Sequence, residues 1–208
     1  MNPLPSSGTD QNRLREGLRA ICGDSNTHAR FLNTLSLLEH IGSRKIMLAR
    51  ARTSEGEVLK HLAEEARHAF FFKRAAEKLA GRALGYGPVD TLAGAAARLY
   101  MNRLDARVSH CVESSLPYLY MSFVIEERAI WAYSIYQSVL AESASGISLA
   151  GLLAEEQLHL EAMVGEIDRR DNQTDHHIAE VRVAEHQEFA RFWRALEIAL
   201  QPARTAAE

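Results

Sequence analysis

The chain has 208 residues, 47% of them hydrophobic and 25% charged, which suits one globular unit with a sizeable core. A net charge of −3 argues against a broad nucleic-acid or membrane-surface footprint. Its two cysteines, Cys22 and Cys111, are far apart and lack Cys-x-x-Cys spacing, so neither a rubredoxin-type iron site nor a disulfide framework is predicted. No charged leader with a long apolar run opens the sequence, and no apolar run approaches the ~18 residues of a spanning helix. The expectation is a cytoplasmic protein.

Prolines fall only at positions 3, 5, 88, 117 and 202, leaving long stretches free of helix breakers. Residues 1–11 read as a disordered tail, 12–200 as a single helical domain and 201–208 as a second tail. A short helix is predicted over 12–22, ending at Gly23, and a long one over 26–52 with Asp24 or Ser25 near its cap. Ser54-Glu55-Gly56-Glu57 has capping-box character and starts a helix reaching Ala80 before Gly81. Gly85-Tyr86-Gly87-Pro88 reads as a turn, with Asp90 capping a helix through Arg107. Pro117 sits in the first turn of the next long helix, which runs to Ser143. After Ser145-Gly146, Ser148 opens a helix ending near Arg170. A last helix over 174–200 carries Phe189, Phe192, Trp193, Leu196 and Leu200 on one face. No stretch alternates apolar and polar residues long enough to make a strand. The prediction is all-α: a four-helix core, an extra helix between its second and third members, and another at the C-terminus.

Leu-Ala-Glu-Glu-x-x-His occurs twice, as Leu62–His68 and Leu153–His159. Each copy contains Glu-x-x-His, Glu65 with His68 and Glu156 with His159. Residues three apart share a helix face with Cβ atoms ~5–6 Å apart, so a carboxylate and an imidazole there can grip one metal ion. Upstream of each copy a glutamate interrupts an apolar helical stretch: Glu39 in LSLLEHIGSRKI and Glu126 in SFVIEERAIWAY. Glu39 shares its stripe with Leu32, Leu35 and Ile46, and Glu156 shares its own with Leu149, Leu152 and Met163. Such stripes face a bundle interior, where a lone carboxylate costs several kcal/mol unless paired or metal-bound. Phase alone leaves Glu127 a competitor for Glu126, because its stripe of Tyr120, Phe123 and Ile130 is also apolar. Glu64 and Glu155, one residue out of register, read as solvated or as one layer out from the metals. His28, His40, His61, His110 and His186 read as ordinary solvated or structural residues, and so do Trp131, Tyr136 and Phe70–Phe72 as core. Tyr133, two turns after Glu126, is placed near the site, either as a hydrogen-bond donor to a ligand or redox-active phenol, or as packing.

One Glu from each of two helices and Glu-x-x-His from each of two others is the ligand pattern of ferritin-like di-iron or di-manganese carboxylate bundles. Residues 26–170 resemble that superfamily, which implies two iron ions, or manganese, held by Glu39, Glu65, His68, Glu126, Glu156 and His159. Ile125–Tyr136, within VIEERAIWAYSIY, further resembles the third-helix motif of aldehyde-deformylating oxygenases. There the glutamate before the Ala-Ile…Tyr…Tyr pattern is a ligand, which selects Glu126 over Glu127. Outside those residues the chain departs from that branch. The function implied is O2 activation to oxidise a small organic substrate, with electrons from a separate reductase or ferredoxin. A homodimer is compatible with it. A ferritin-type iron oxidation and storage protein is the alternative, and a tRNA-hydroxylase-like enzyme is disfavoured by the charge and the lack of a Lys/Arg cluster.

Overall fold

The computed structural model describes residues 8–49, 56–112, 116–143 and 145–201. Among these the chain forms seven helices and no strand: α1 (Gly8–Cys22), α2 (Ser25–Ala49), α3 (Gly56–Ala80), α4 (Gly94–Cys111), α5 (Pro117–Glu142), α6 (Ala150–Arg170) and α7 (Thr174–Leu200). Most of the two tails, and Ser54 and Glu55 of the predicted capping box, lie outside the described residues. None of the helices is long and apolar enough to cross a membrane.

The helix α1 begins at Gly8, so residues 8–11 are helical rather than tail. Leu14, Leu18 and Ile21 recur on one face and are all buried. A helix this short is marginal alone, and each such side chain removed from water contributes roughly 1.5–3 kcal/mol. That stripe docks α1 against α2 and α5. Asp24 caps α2 as expected, accepting the Thr27 N–H at 2.8 Å. Gly81 ends α3 at φ 66°, a left-handed conformation that glycine adopts without a Cβ clash.

One start signal misled. Asp90 does not cap α4; its carboxylate accepts from the Gly85 N–H at 2.8 Å and from Arg82 at 2.7 Å, closing the preceding loop. The helix begins instead at Gly94, after Ala93 at φ 55°. Phe70 is a second correction: it is 60% exposed, beside Arg74, rather than core.

The helices pack in pairs, α2 along α3, α5 along α6 and α4 along α7. Buried charges fix α7 against α5. Arg128 donates to both Glu185 oxygens at 2.9 and 2.6 Å, and Tyr100 of α4 donates to the same carboxylate at 2.9 Å. Arg182 donates to both oxygens of Glu127. Two neighbours of Glu126 are thereby turned to α7, which aims Glu126 itself the other way, into the bundle.

Candidate metal centre

Four helices deliver carboxylates to one buried point. Glu39 comes from α2, Glu65 from α3, Glu126 from α5 and Glu156 from α6, and none is more than 9% exposed. His68 and His159 follow from the Glu-x-x-His spacing on α3 and α6. All six residues singled out in the sequence are brought together. They fall into two donor groups, each with ligand-type atoms within 4.8 Å of one another. One is Glu39, Glu65, His68 and Glu156; the other is His61, Glu65, Glu126 and His159. Glu65 belongs to both. These groups could hold metal ions.

His61 is the residue that sequence reasoning missed. It lies one helical turn before Glu65, with Nε2 at 3.2 Å from Glu126 Oε1 and 3.4 Å from Glu65 Oε1. Its Nδ1 lies 3.1 Å from the Tyr118 hydroxyl, which orients the ring. The i, i+4 spacing was a usable signal, but the residue just before the second heptapeptide is Leu152 where the first has His61, so the repeat concealed it.

The first glutamate of each heptapeptide serves the histidine of the other. His68 Nε2–H donates to Glu155 at 2.8 Å, and His159 Nε2–H donates to Glu64 at 2.6 Å. A carboxylate on one ring nitrogen fixes the tautomer and leaves the other nitrogen for a metal. Those other nitrogens point inward. His68 Nδ1 is 3.0 Å from Glu156 Oε1 and His159 Nδ1 is 3.4 Å from Glu156 Oε2, but neither contact has hydrogen-bond geometry. Both nitrogens and Glu156 Oε2 are therefore buried without a hydrogen-bond partner. Buried polar atoms are nearly always satisfied, and three orphans gathered at the Glu156 carboxylate fit a set of metal donors.

Tyr133 donates its hydroxyl to Glu39 Oε1 at 2.5 Å, which places it beside the donor set as a brace for that carboxylate. Burial and the neighbouring Glu39 push its own phenol well above the usual range, so it keeps its proton. Glu127 is taken up by Arg182 and stands outside both donor groups. His28 meets the Tyr136 hydroxyl at 2.5 Å, as an ordinary structural histidine would.

Crowded charge dominates the electrostatics. Burial and then the nearby carboxylates push Glu39 and Glu126 well above the ordinary range. Glu156 goes the other way: burial opposes its ionisation, but Glu126, His159 and His68 outweigh that and hold it low. Burial also opposes charging of the histidines. The surrounding carboxylates win, raising His61 to about 9 and His68 and His159 to about 10. The raised groups favour their protonated forms, which offsets the charge of the crowded carboxylates.

No protein-family model, curated protein or solved structure matches the chain. The functional reading therefore rests on the residues and their arrangement.

Proposed function

We propose that this protein is a di-metal carboxylate oxidoreductase of ferritin-like type, which uses O2 to oxidise or oxygenate a small organic molecule. The observation that carries the reading is the pair of buried donor groups sharing Glu65, with inward-facing ring nitrogens that have no other partner. Oxygen and imidazole donors without thiolates suit iron or manganese. Such ions would supply the redox couple and the open coordination positions that O2 chemistry needs. Glu39, Glu65, His68 and Glu156 would hold one ion and His61, Glu65, Glu126 and His159 the other, with Glu65 common to both. His61 would give its group a second imidazole, making the two positions unequal.

The chain's own residues would do the rest. Tyr133 holds Glu39 in place and keeps a proton at hand beside it. Glu64 and Glu155 fix the imidazole rings. Apolar walls next to the carboxylates, built from Leu35, Leu38 and Ala129, limit the access of bulk water. Electrons beyond those of the substrate would come from a separate reductase or ferredoxin, because the chain has no cysteine cluster for an iron centre of its own.

The test is anaerobic loading with Fe(II), then aerobic titration with excess Fe(II) and gel filtration. A small particle that binds about two irons per chain and consumes O2 only in proportion to them fits the proposal. An iron-rich particle of cage size would move the reading to storage. A second experiment addresses the rings. Glu64→Ala and Glu155→Ala should each weaken metal binding by roughly 10–100-fold, as loss of a histidine's outer carboxylate does elsewhere. Competition with a chelating dye measures this, and unchanged affinity in both variants would show that the cross-bonds do not serve the metals.

A further inference from the structure

Two cavities of unequal size meet at the carboxylates. The outer one, of about 420 Å3, opens past Lys45, Asp105 and Tyr118 and reaches His61, Glu65 and Glu126. The inner one, of about 90 Å3, reaches Glu39, Glu65, Glu126 and Glu156 and runs on between α1, α5 and α7. Gly42, Met101 and Ile125 line both, together with Glu65 and Glu126. Gly42 helps keep this junction open: a Cβ there would sit 3.1 Å from Glu65 Oε2.

Size and polarity assign different occupants. Pockets for organic ligands run from ~300 to ~1,000 Å3, a range that includes the outer cavity and not the inner. An apolar cavity of ~150 Å3 takes up benzene or xenon and stays dry, so the inner space suits something smaller than benzene. Its far walls are Leu14, Leu18, Phe31, Phe192 and Trp193. Away from the carboxylates, the polar groups Arg128, Tyr100 and Tyr133 on its sides are already engaged, the first two with Glu185 and the third with Glu39. A water molecule needs two to four polar partners, and the far end offers at most the unpartnered Trp193 N–H.

We infer that the inner cavity is a holding site for dioxygen and that the organic substrate occupies the outer chamber, the two meeting beside Glu65 and Glu126. This inference rests on the oxidase reading above. The outer chamber then admits a molecule with an apolar body against Ile46, Met121 and Ile125 and a polar end at the Lys45–Asp105 pair, where Lys45 Nζ donates to Asp105 at 2.5 Å.

Xenon is the probe. Crystals pressurised with xenon should show it in the inner cavity, within contact of Leu35 and Ala132 rather than in the outer chamber. Ala132→Leu narrows the inner cavity, and Leu18→Phe at its far wall repeats the test should the first variant fail to fold. Either substitution should abolish the xenon peak and leave metal stoichiometry unchanged. The apparent KM for O2 should rise about tenfold, equivalent to ~1.4 kcal/mol. Xenon found only in the outer chamber, or nowhere, overturns the inference, as does an unchanged KM for O2 in a filled variant. A metal-loaded wild-type protein that consumes no O2 would sink the oxidase reading and the dioxygen role together. Missing inner-cavity xenon in a protein that does consume O2 would overturn this inference alone.

Discussion

Loading with Fe(II) or Mn(II) is expected to raise the melting temperature on the order of 10 °C, and to raise it more at pH 8.5 than at pH 6. A ligand at a hundred to a thousand times its dissociation constant stabilises by roughly 3–4 kcal/mol, and each kcal/mol shifts a domain of this size by roughly 2–4 °C. The pH dependence follows from which groups hold protons in the metal-free fold. Neighbouring carboxylates raise His61 to about 9 and His68 and His159 to about 10, against an ordinary value of 6.5. Their contribution to the metal-free fold is fully present below pH 6.5 and is lost as pH rises through 9–10. Glu39 and Glu126, raised by burial, have the same sign: ionising them becomes a growing cost above their ordinary 4.5. Glu156, held low, has the opposite sign, but its contribution is lost only in strong acid. Between pH 6 and 10 the metal-free protein should therefore weaken. Metal binding runs the other way, because the cations must displace those protons and bind more tightly as pH rises. Scanning calorimetry of both forms across this range reads the gap directly, and titration in buffers of different ionisation heat counts the protons released. A gap that narrows toward alkaline pH would show that the clusters do not exchange protons for metal.

Most of the helical frame was legible in the sequence because its signals are local. Asp24, Gly81 and Pro117 act within a few residues of themselves, and the helices start or stop where they stand. Asp90 looked like the same kind of signal. Its side chain was instead drawn to Gly85 and Arg82 across a loop, a choice that only the folded loop makes available. The clustering of the six candidate residues was legible for a similar reason, since spacing and phase place them on inward stripes whatever the partner helix. Two features depended on tertiary structure. Glu64 and Glu155 were known to lie out of register, but their exchange of histidines appears only when α3 and α6 face each other. His61 carried a local signal, yet comparison of the residues that precede the two heptapeptides points away from it, because the paired position is Leu152. The choice between Glu126 and Glu127 could not be made from phase, because both stripes are apolar. Arg182 on α7 decides where Glu127 goes, and no pattern within α5 contains that information.

Substitution of the central carboxylates should separate their contributions. Glu65 is common to both donor groups, whereas Glu39 belongs to one and Glu126 to the other. Glu65→Ala is therefore expected to drop bound metal to well under one ion per chain, while Glu39→Ala and Glu126→Ala each leave about one. Glu127→Ala should keep both ions. It should instead lose stability, roughly 1–3 kcal/mol, because it removes a carboxylate that accepts two hydrogen bonds from Arg182 in a mostly buried pair. The two readouts move independently: elemental analysis of loaded protein reports the metals, and metal-free denaturant unfolding reports the ion pair. Removing Glu65 takes a carboxylate out of a crowded, low-dielectric cluster, so the metal-free variant should lose less stability than burial alone suggests, yet show no metal-induced rise in melting temperature. Two ions retained in Glu65→Ala would break the shared-carboxylate arrangement. Loss of one ion in Glu127→Ala but not in Glu126→Ala would mean that the carboxylate paired with Arg182 is the true ligand and that α5 is rotated from the position described.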